Sequence, residues 1–421
     1  MIYEKLIKSI ISEIRQTIKF IPSHRTILET QEYIEAYGEH YENADLDDEV
    51  MANDTQFHQN LIAFLNEITG KYKNQSLTQL RMQDNLVIVG TAYALLGKCH
   101  ERGWFGVERD QSLAVEYFTR SAACKTPIGT FELARCFEFG KGTDVDVERA
   151  CILYRASYKL GYIRGLHKYA RILLKGNDFV ERNILDGYYI LKQAAVSKDR
   201  IYIAPYYDLA MLYKSRICDI LNDNRYAFQI FLLGASKGCK YCQYKLGEEY
   251  EEGEIVDRNL NKAFYWYKMS AENNLSDAQL RIAEFLFGIR SGLKIDIDKA
   301  IKQEGFEGQV TFYNGTKIDN KYSLGGLELG MLKQRPPIRF GNFYGTDFNR
   351  FKEGYKMAHR SASYGKKEAI LLVAEALEKG LGTEISLLES LWWYKIAEGL
   401  GCDNIRERMY LLEMKIGKKI F

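Results

Sequence analysis

Proline is nearly missing from this sequence, with 5 in 421 residues against 34 glycines. So few prolines leave long helices uninterrupted, while glycine remains available for left-handed helix ends. Net charge is lacking too. Lys and Arg number 58, Asp and Glu 56, for a balance of +2. No field of one sign points to nucleic acid or to a membrane surface. Uncharged apolar runs stay well short of the ~18 residues that read as a membrane span. Residues 1–20 are apolar every three or four positions but broken by Glu4, Lys5, Lys8, Glu13, Arg15 and Lys19. That is an amphipathic helix and not a signal peptide. The eight cysteines, at 99, 124, 136, 151, 218, 239, 242 and 402, have no spacing that reads as a disulfide framework. Reduced, buried thiols and a cytoplasmic chain are expected. Cys239-Lys-Tyr-Cys242 has C-x-x-C spacing, without the second pair, the nearby His or the βαβ setting of a metal or redox site.

Catalytic signatures are missing as well. There is no G-x-S-x-G elbow, no Walker A loop and no H-E-x-x-H. The six histidines (24, 40, 58, 100, 167 and 359) are scattered. His24, His40 and His58 share the N-terminal region with Asp45, Asp47 and Asp48 but follow no metal-ligand pattern. Gly140-Lys141-Gly142-Thr143 looks like a phosphate loop only superficially. The expectation is a protein without enzymatic activity, cofactor or metal.

What is present is a repeated phrase. Its clearest copy runs Cys242, Leu246-Gly247, Tyr250, Gly253, then Lys262-Ala263, Trp266-Tyr267 and Ser270-Ala271. Aligned on the Leu-Gly pair, anchors fall at Leu96-Gly97, Leu133-Ala134, Tyr169-Ala170, Leu209-Ala210, Leu246-Gly247, Ile282-Ala283, Leu329-Gly330 and Val373-Ala374. Most are about 36 to 40 residues apart, the period of helix-pair repeats. The second half recurs in step, from Ala114 with Tyr117-Phe118 to Ser390 with Trp393-Tyr394, and includes Gly354 with Met357-Ala358. Small residues let two antiparallel helices approach, and large ones four positions on fill the groove beside them. A lone hairpin of this kind cannot bury its apolar face, so neighbours stack.

The phrase resembles the Sel-one-like repeat, a relative of the tetratricopeptide repeat, over about residues 92 to 401. The resemblance implies an all-α, right-handed superhelical solenoid of about eight helix pairs. It also implies a scaffold or adaptor role. The chain divides into 1–90, a helical N-terminal region; 91–302, six regular repeats; 303–350, an insertion; and 351–421, C-terminal repeats with a capping helix. Within the N-terminal region Phe57, Leu61, Phe64, Leu65 and Ile68 show helical periodicity. Within the insertion, Asn314-Gly315 reads as the turn of a short β-hairpin.

In related solenoids the first helix of each pair lines the concave face. Helical spacing from the anchors then points Phe131, Arg135, Arg164, His167, Arg171, Tyr207, Met211, Lys214, Tyr241 and Tyr244 into a groove. Glu248, Glu251, Glu284, Glu375 and Glu378 make its later part acidic. Arg and Tyr are common at binding hot spots, and guanidinium groups pair with carboxylates. The expected partner is a protein segment with acidic and apolar residues, with no membrane involved. Equally, these charges form a solvated face or pair between repeats. Arg339, Phe340, Phe343 and Tyr344 in the insertion are a second candidate contact, since long insertions in compact repeats are often functional. An immunity protein that neutralises a toxic effector is an alternative to an adaptor. Single-stranded nucleic acid on the basic, Tyr-rich part, weakened by the near-neutral charge, and an unrecognised enzyme are further alternatives.

Overall fold

The computed structural model describes residues 27–35, 55–73, 75–76, 78–79, 85–197, 202–215, 223–289, 347–402 and 405–420. Its described residues are almost wholly helical and group into two units, Met1–Pro205 and Tyr206–Phe421.

The first unit opens with α1 (residues 27–35) and α2 (Thr55–Tyr72). Three antiparallel pairs follow. They are α3 (Leu86–Arg102) with α4 (Gln111–Ala123), α5 (Pro127–Phe139) with α6 (Val147–Lys159), and α7 (Ile163–Lys175) with α8 (Ile184–Val196). The second unit holds α9 (Ala204–Lys214), which begins at the boundary, with α10 (Asn224–Ser236). Next come α11 (Lys240–Glu252) with α12 (Leu260–Glu272) and α13 (Ser276–Phe287) with α14 (Asp347–Ser363). The array ends in α15 (Lys367–Lys379) with α16 (Leu387–Gly399), then α17 (Arg406–Ile420). Each unit is therefore a stack of helix pairs, the α-solenoid arrangement. The first helix of a pair is called A and the second B.

Local chemistry sets where these helices start and stop. B helices begin at a residue whose side chain accepts the backbone N–H three positions on. Asp110 holds Leu113, Asp146 holds Arg149, Asn183 holds Asp186, Asp223 holds Tyr226, Asn259 holds Lys262 and Ser386 holds Glu389. Each cap satisfies an amide the first turn would leave bare, worth ~1 kcal/mol. Several A helices stop at a left-handed glycine, as at Gly140, whose N–H bonds the Cys136 carbonyl.

Packing follows the small-residue logic. A Cβ on Gly97 would sit 2.6 Å from the Phe118 ring, and one on Gly247 would sit 2.5 Å from Tyr267. The B-helix ring occupies the space a side chain would need on A. Buried rings of this size contribute ~1.5–3 kcal/mol each. In several pairs a buried serine then ties the B helix to the start of its A helix. Ser121 donates to the Gly90 carbonyl at 2.5 Å, Ser157 to Pro127 at 3.0 Å and Ser270 to Lys240 at 2.8 Å.

That serine settles the irregular stretch. Ser361 donates to the Ser276 carbonyl at 2.8 Å. The residues joined are 85 apart, against 30 for Ser157 or Ser270. Arg350 also reaches the Leu286 and Phe285 carbonyls at 2.7 and 3.2 Å. The helix carrying Gly354, Met357 and Ala358 thus closes the pair opened by Ile282-Ala283. Periodicity had joined it to Leu329-Gly330, an anchor outside the described residues. Seven pairs are present among the described residues. The Asn314-Gly315 hairpin also lies outside them.

Candidate functional site

In the first unit the A-helix positions singled out above are densely paired. Glu132, on α5, is fully buried and takes Arg135 Nη1 at 2.7 Å and Lys98 Nζ, from α3, at 3.6 Å. Burial pushes its carboxyl up, but Arg135, Lys98 and Arg164 outweigh that and hold it below the usual carboxylate range. Arg135 also reaches Glu101 at 3.8 Å, which Lys141 binds at 2.7 Å. Phe131 is buried between Tyr154 and Tyr162, with ring centroids 5.5 and 5.3 Å away. Arg164 stacks on the Tyr202 ring at 4.6 Å, and buried His167 is hydrogen-bonded through Nδ1 to the Tyr202 hydroxyl at 2.6 Å. Arg171 is exposed.

The second unit repeats the theme. Tyr207 packs on Phe231 and on Tyr241, at 6.3 and 5.5 Å, and Tyr241 is 46% exposed. Met211 is half-buried. Lys214 binds Glu249, which is buried and has one oxygen with no hydrogen-bond partner. Burial pushes this carboxyl up, and Lys214 only partly counters it. Tyr244 lies 5.3 Å from Tyr267.

A single motif links these contacts. A B-helix tyrosine donates to an A-helix glutamate sixteen positions earlier: Tyr154 to Glu138 at 2.6 Å, Tyr267 to Glu251 at 2.7 Å, Tyr394 to Glu378 at 3.5 Å. The following A helix supplies a cation thirty positions after the glutamate: Lys168 to Glu138 at 2.7 Å and Arg408 to Glu378 at 3.0 Å. Burial, then the hydrogen-bonded carboxylate, pushes the Tyr154 and Tyr267 phenols well above their ordinary value. Much of the charge expected to await a partner therefore stitches neighbouring repeats. Glu138, the hub of one such trio, escaped the sequence reading, although the i+16 tyrosine was visible there. Arg339, Phe340, Phe343 and Tyr344 lie outside the described residues.

Helix pairs of this length, capped, glycine-stopped and stitched in register, form the frame in which a known repeat is found. The Sel1 repeat matches over residues 90–125, 127–162, 163–195, 206–239, 240–275, 276–302 and 367–402. The chain belongs to the Sel1-repeat family. Chitin synthase regulatory factor 3 of Schizosaccharomyces pombe is 26% identical over 204 residues, covering 46% of this chain and 21% of the relative. Chitin synthase regulator SKT5 of Saccharomyces cerevisiae is 29% identical over 164 residues, covering 38% of this chain and 23% of the relative. The match thus spans about a fifth of each of these relatives. A Sel1 repeat protein from Oxalobacter formigenes has a similar structure, with TM-score 0.45, 23% identity, and 57% and 95% of the two chains covered. Among the described residues no Sel1-repeat helix is long and apolar enough to cross a membrane. Their seven cysteines are free, six of them buried.

Proposed function

We propose that this Sel1-repeat chain is a non-enzymatic adaptor that holds a partner protein against its A-helix face and so regulates it. The observation that carries the reading is how the titratable groups of that face are used. Glu132, Glu138, Glu251 and Glu378 are each engaged by residues of their own or the adjoining repeat. Within each unit these groups are used up in holding the repeats together and leave rings and apolar edges to make contacts. Relatives aligned with nearly half the chain being regulators of an enzyme supports the same reading. The free cysteines fit a reducing compartment such as the cytoplasm.

The test is affinity purification with quantitative mass spectrometry, comparing wild type with Arg171→Glu/Tyr241→Ala. Both positions are exposed, so the fold should persist. Reversing Arg135 or Arg164 would instead disturb the buried Glu132 network. A stoichiometric partner depleted in the double variant is expected. A partner bound equally by both would move the contact away from these A-helix positions. No stoichiometric partner at all would overturn the adaptor reading.

A further inference from the structure

The first unit already holds a helix against its A layer. That helix is α1, residues 27–35, reading Ile-Leu-Glu-Thr-Gln-Glu-Tyr-Ile-Glu. Its buried positions are Ile27, Thr30, Tyr33 and Ile34, while Leu28 and Glu32 face solvent. This is an amphipathic stripe at helical spacing. Tyr33 stacks on Phe105 with centroids 6.2 Å apart, in the turn after α3, and its hydroxyl lies 3.2 Å from buried His58. At the other end Glu35 accepts from the Tyr162 hydroxyl at 3.1 Å, across 127 residues of sequence, just before α7. Ile27, Tyr33, Ile34, Phe105, Phe131 and Tyr162 belong to one hydrophobic cluster. The segment therefore bridges the first and third repeat pairs.

Its chemistry is complementary to what it covers. Tyr33 meets Phe105, and Ile27 and Ile34 belong to the cluster that also holds Phe131. The carboxylate meets a phenol whose electrostatic neighbours include Arg164 as well as Glu132. An A layer with one acceptor-seeking tyrosine, one guanidinium and an aromatic floor recognises an acidic, apolar helix. Residues 27–35 have that composition.

We infer that this face is a docking site for a short acidic amphipathic helix of the pattern apolar-x-x-Thr-x-x-Tyr-Ile-Glu, and that residues 27–35 are its resident occupant, which a partner must displace. The inference rests on the adaptor reading and adds to it the partner's chemistry and a built-in competitor. A tethered segment competes at an effective concentration of roughly millimolar, so a free peptide at micromolar concentration is outcompeted in the intact chain. Only the fraction of molecules with the face open binds it, and apparent affinity falls by that fraction.

The probe is a fluorescent peptide of residues 27–35. An i,i+4 staple at the exposed positions 28 and 32 holds it helical, because so short a helix is marginal alone. Its control carries Ile34→Asp and Glu35→Lys. Anisotropy is read with the full chain, as wild type and as Tyr33→Ala/Ile34→Asp, after far-UV circular dichroism confirms that the variant is folded. The variant should bind the probe at least ~tenfold more tightly than wild type does. The control peptide should bind neither, and adding Tyr162→Phe should remove most of the gain. Should the double variant fail to fold, Glu35→Lys alone loosens only the polar end and should give a smaller gain with the same peptide dependence. Equal affinity in wild type and variant, or no binding to a folded variant, overturns the inference. If the partner capture above succeeds while the probe fails, the adaptor reading stands and only this inference falls.

Discussion

Gly142 and Gly161 belong to the same repeat pair and both take a left-handed backbone, with φ of +68° and +81°, yet alanine should hurt them very unequally. The backbone term is common to both and costs ~1–2 kcal/mol for a residue with a Cβ. Surroundings differ. At 161 a new Cβ has nothing within 4 Å. At 142 it would lie 2.2 Å from the Gln111 carbonyl oxygen and 3.0 Å from the Ser112 amide nitrogen. Those are backbone atoms at the start of α4, in the preceding pair, so relief requires two packed elements to part. Overpacking of that kind adds ~1–3 kcal/mol. The expected losses are therefore ~1 kcal/mol for Gly161→Ala and ~3 kcal/mol for Gly142→Ala. Urea unfolding followed by circular dichroism reads both. A repeat array need not unfold in one step, but two substitutions in one pair report on the same transition. Equal displacement of the midpoint would refute the claim that turn-to-helix contact, and not φ alone, fixes glycine at 142.

Ser270→Ala and Ser361→Ala should each cost ~1–2 kcal/mol, because each leaves an A-helix carbonyl without its donor. Similar losses in urea would confirm that α14 closes the sixth pair, whereas a negligible loss for Ser361→Ala would break that assignment. Tyr267→Phe should destabilise by ~1–2 kcal/mol through the lost bond to Glu251, and a thermal melt unchanged from wild type would count against the stitching role. The two buried glutamates should answer pH with opposite signs. Glu132 has a lowered folded pKa, so its contribution is present above the unfolded carboxylate value and fades as pH falls through the folded one. Glu249 has a raised folded pKa, so it weighs against folding once pH exceeds the unfolded value, most fully above the folded one. At pH 7 Glu132→Gln should therefore be destabilising, and Glu249→Gln neutral or stabilising, with that advantage shrinking on acidification. Urea midpoints at two pH values check both signs.

The scaffold was legible because its determinants are local. Leu246-Gly247 and Trp266-Tyr267 sit in one hairpin, and their spacing alone predicts a small residue under a ring, which Tyr267 over Gly247 realises. Leu61, Phe64, Leu65 and Ile68 are buried as their periodicity predicts. The cap residues Asp110, Asp146, Asn183, Asp223, Asn259 and Ser386 carried an unused signal for where B helices begin. The candidate site was less legible. Arg135 and Lys214 look available in sequence, but their carboxylate partners stand on other turns or other helices. Whether a charge is paired depends on stacking geometry, which a single hairpin does not encode. The seat of residues 27–35 was hidden for the same reason, since Glu35 meets Tyr162 only after three pairs have stacked.

The 85-residue reach from Ser276 to Ser361 has a consequence for the chain as it is made. Other pairs complete themselves soon after their first helix leaves the ribosome. The sixth cannot, because its second helix is still to be translated. At ~5–20 residues per second the delay is on the order of several seconds. During it Ala278, Ile282, Ala283 and Leu286, all buried in the finished protein, have no α14 to cover them. The lost loop entropy is small, about 0.6 kcal/mol per doubling of length, so the mature fold bears the insertion easily. The nascent chain bears it as time, the interval before α14 can meet those side chains.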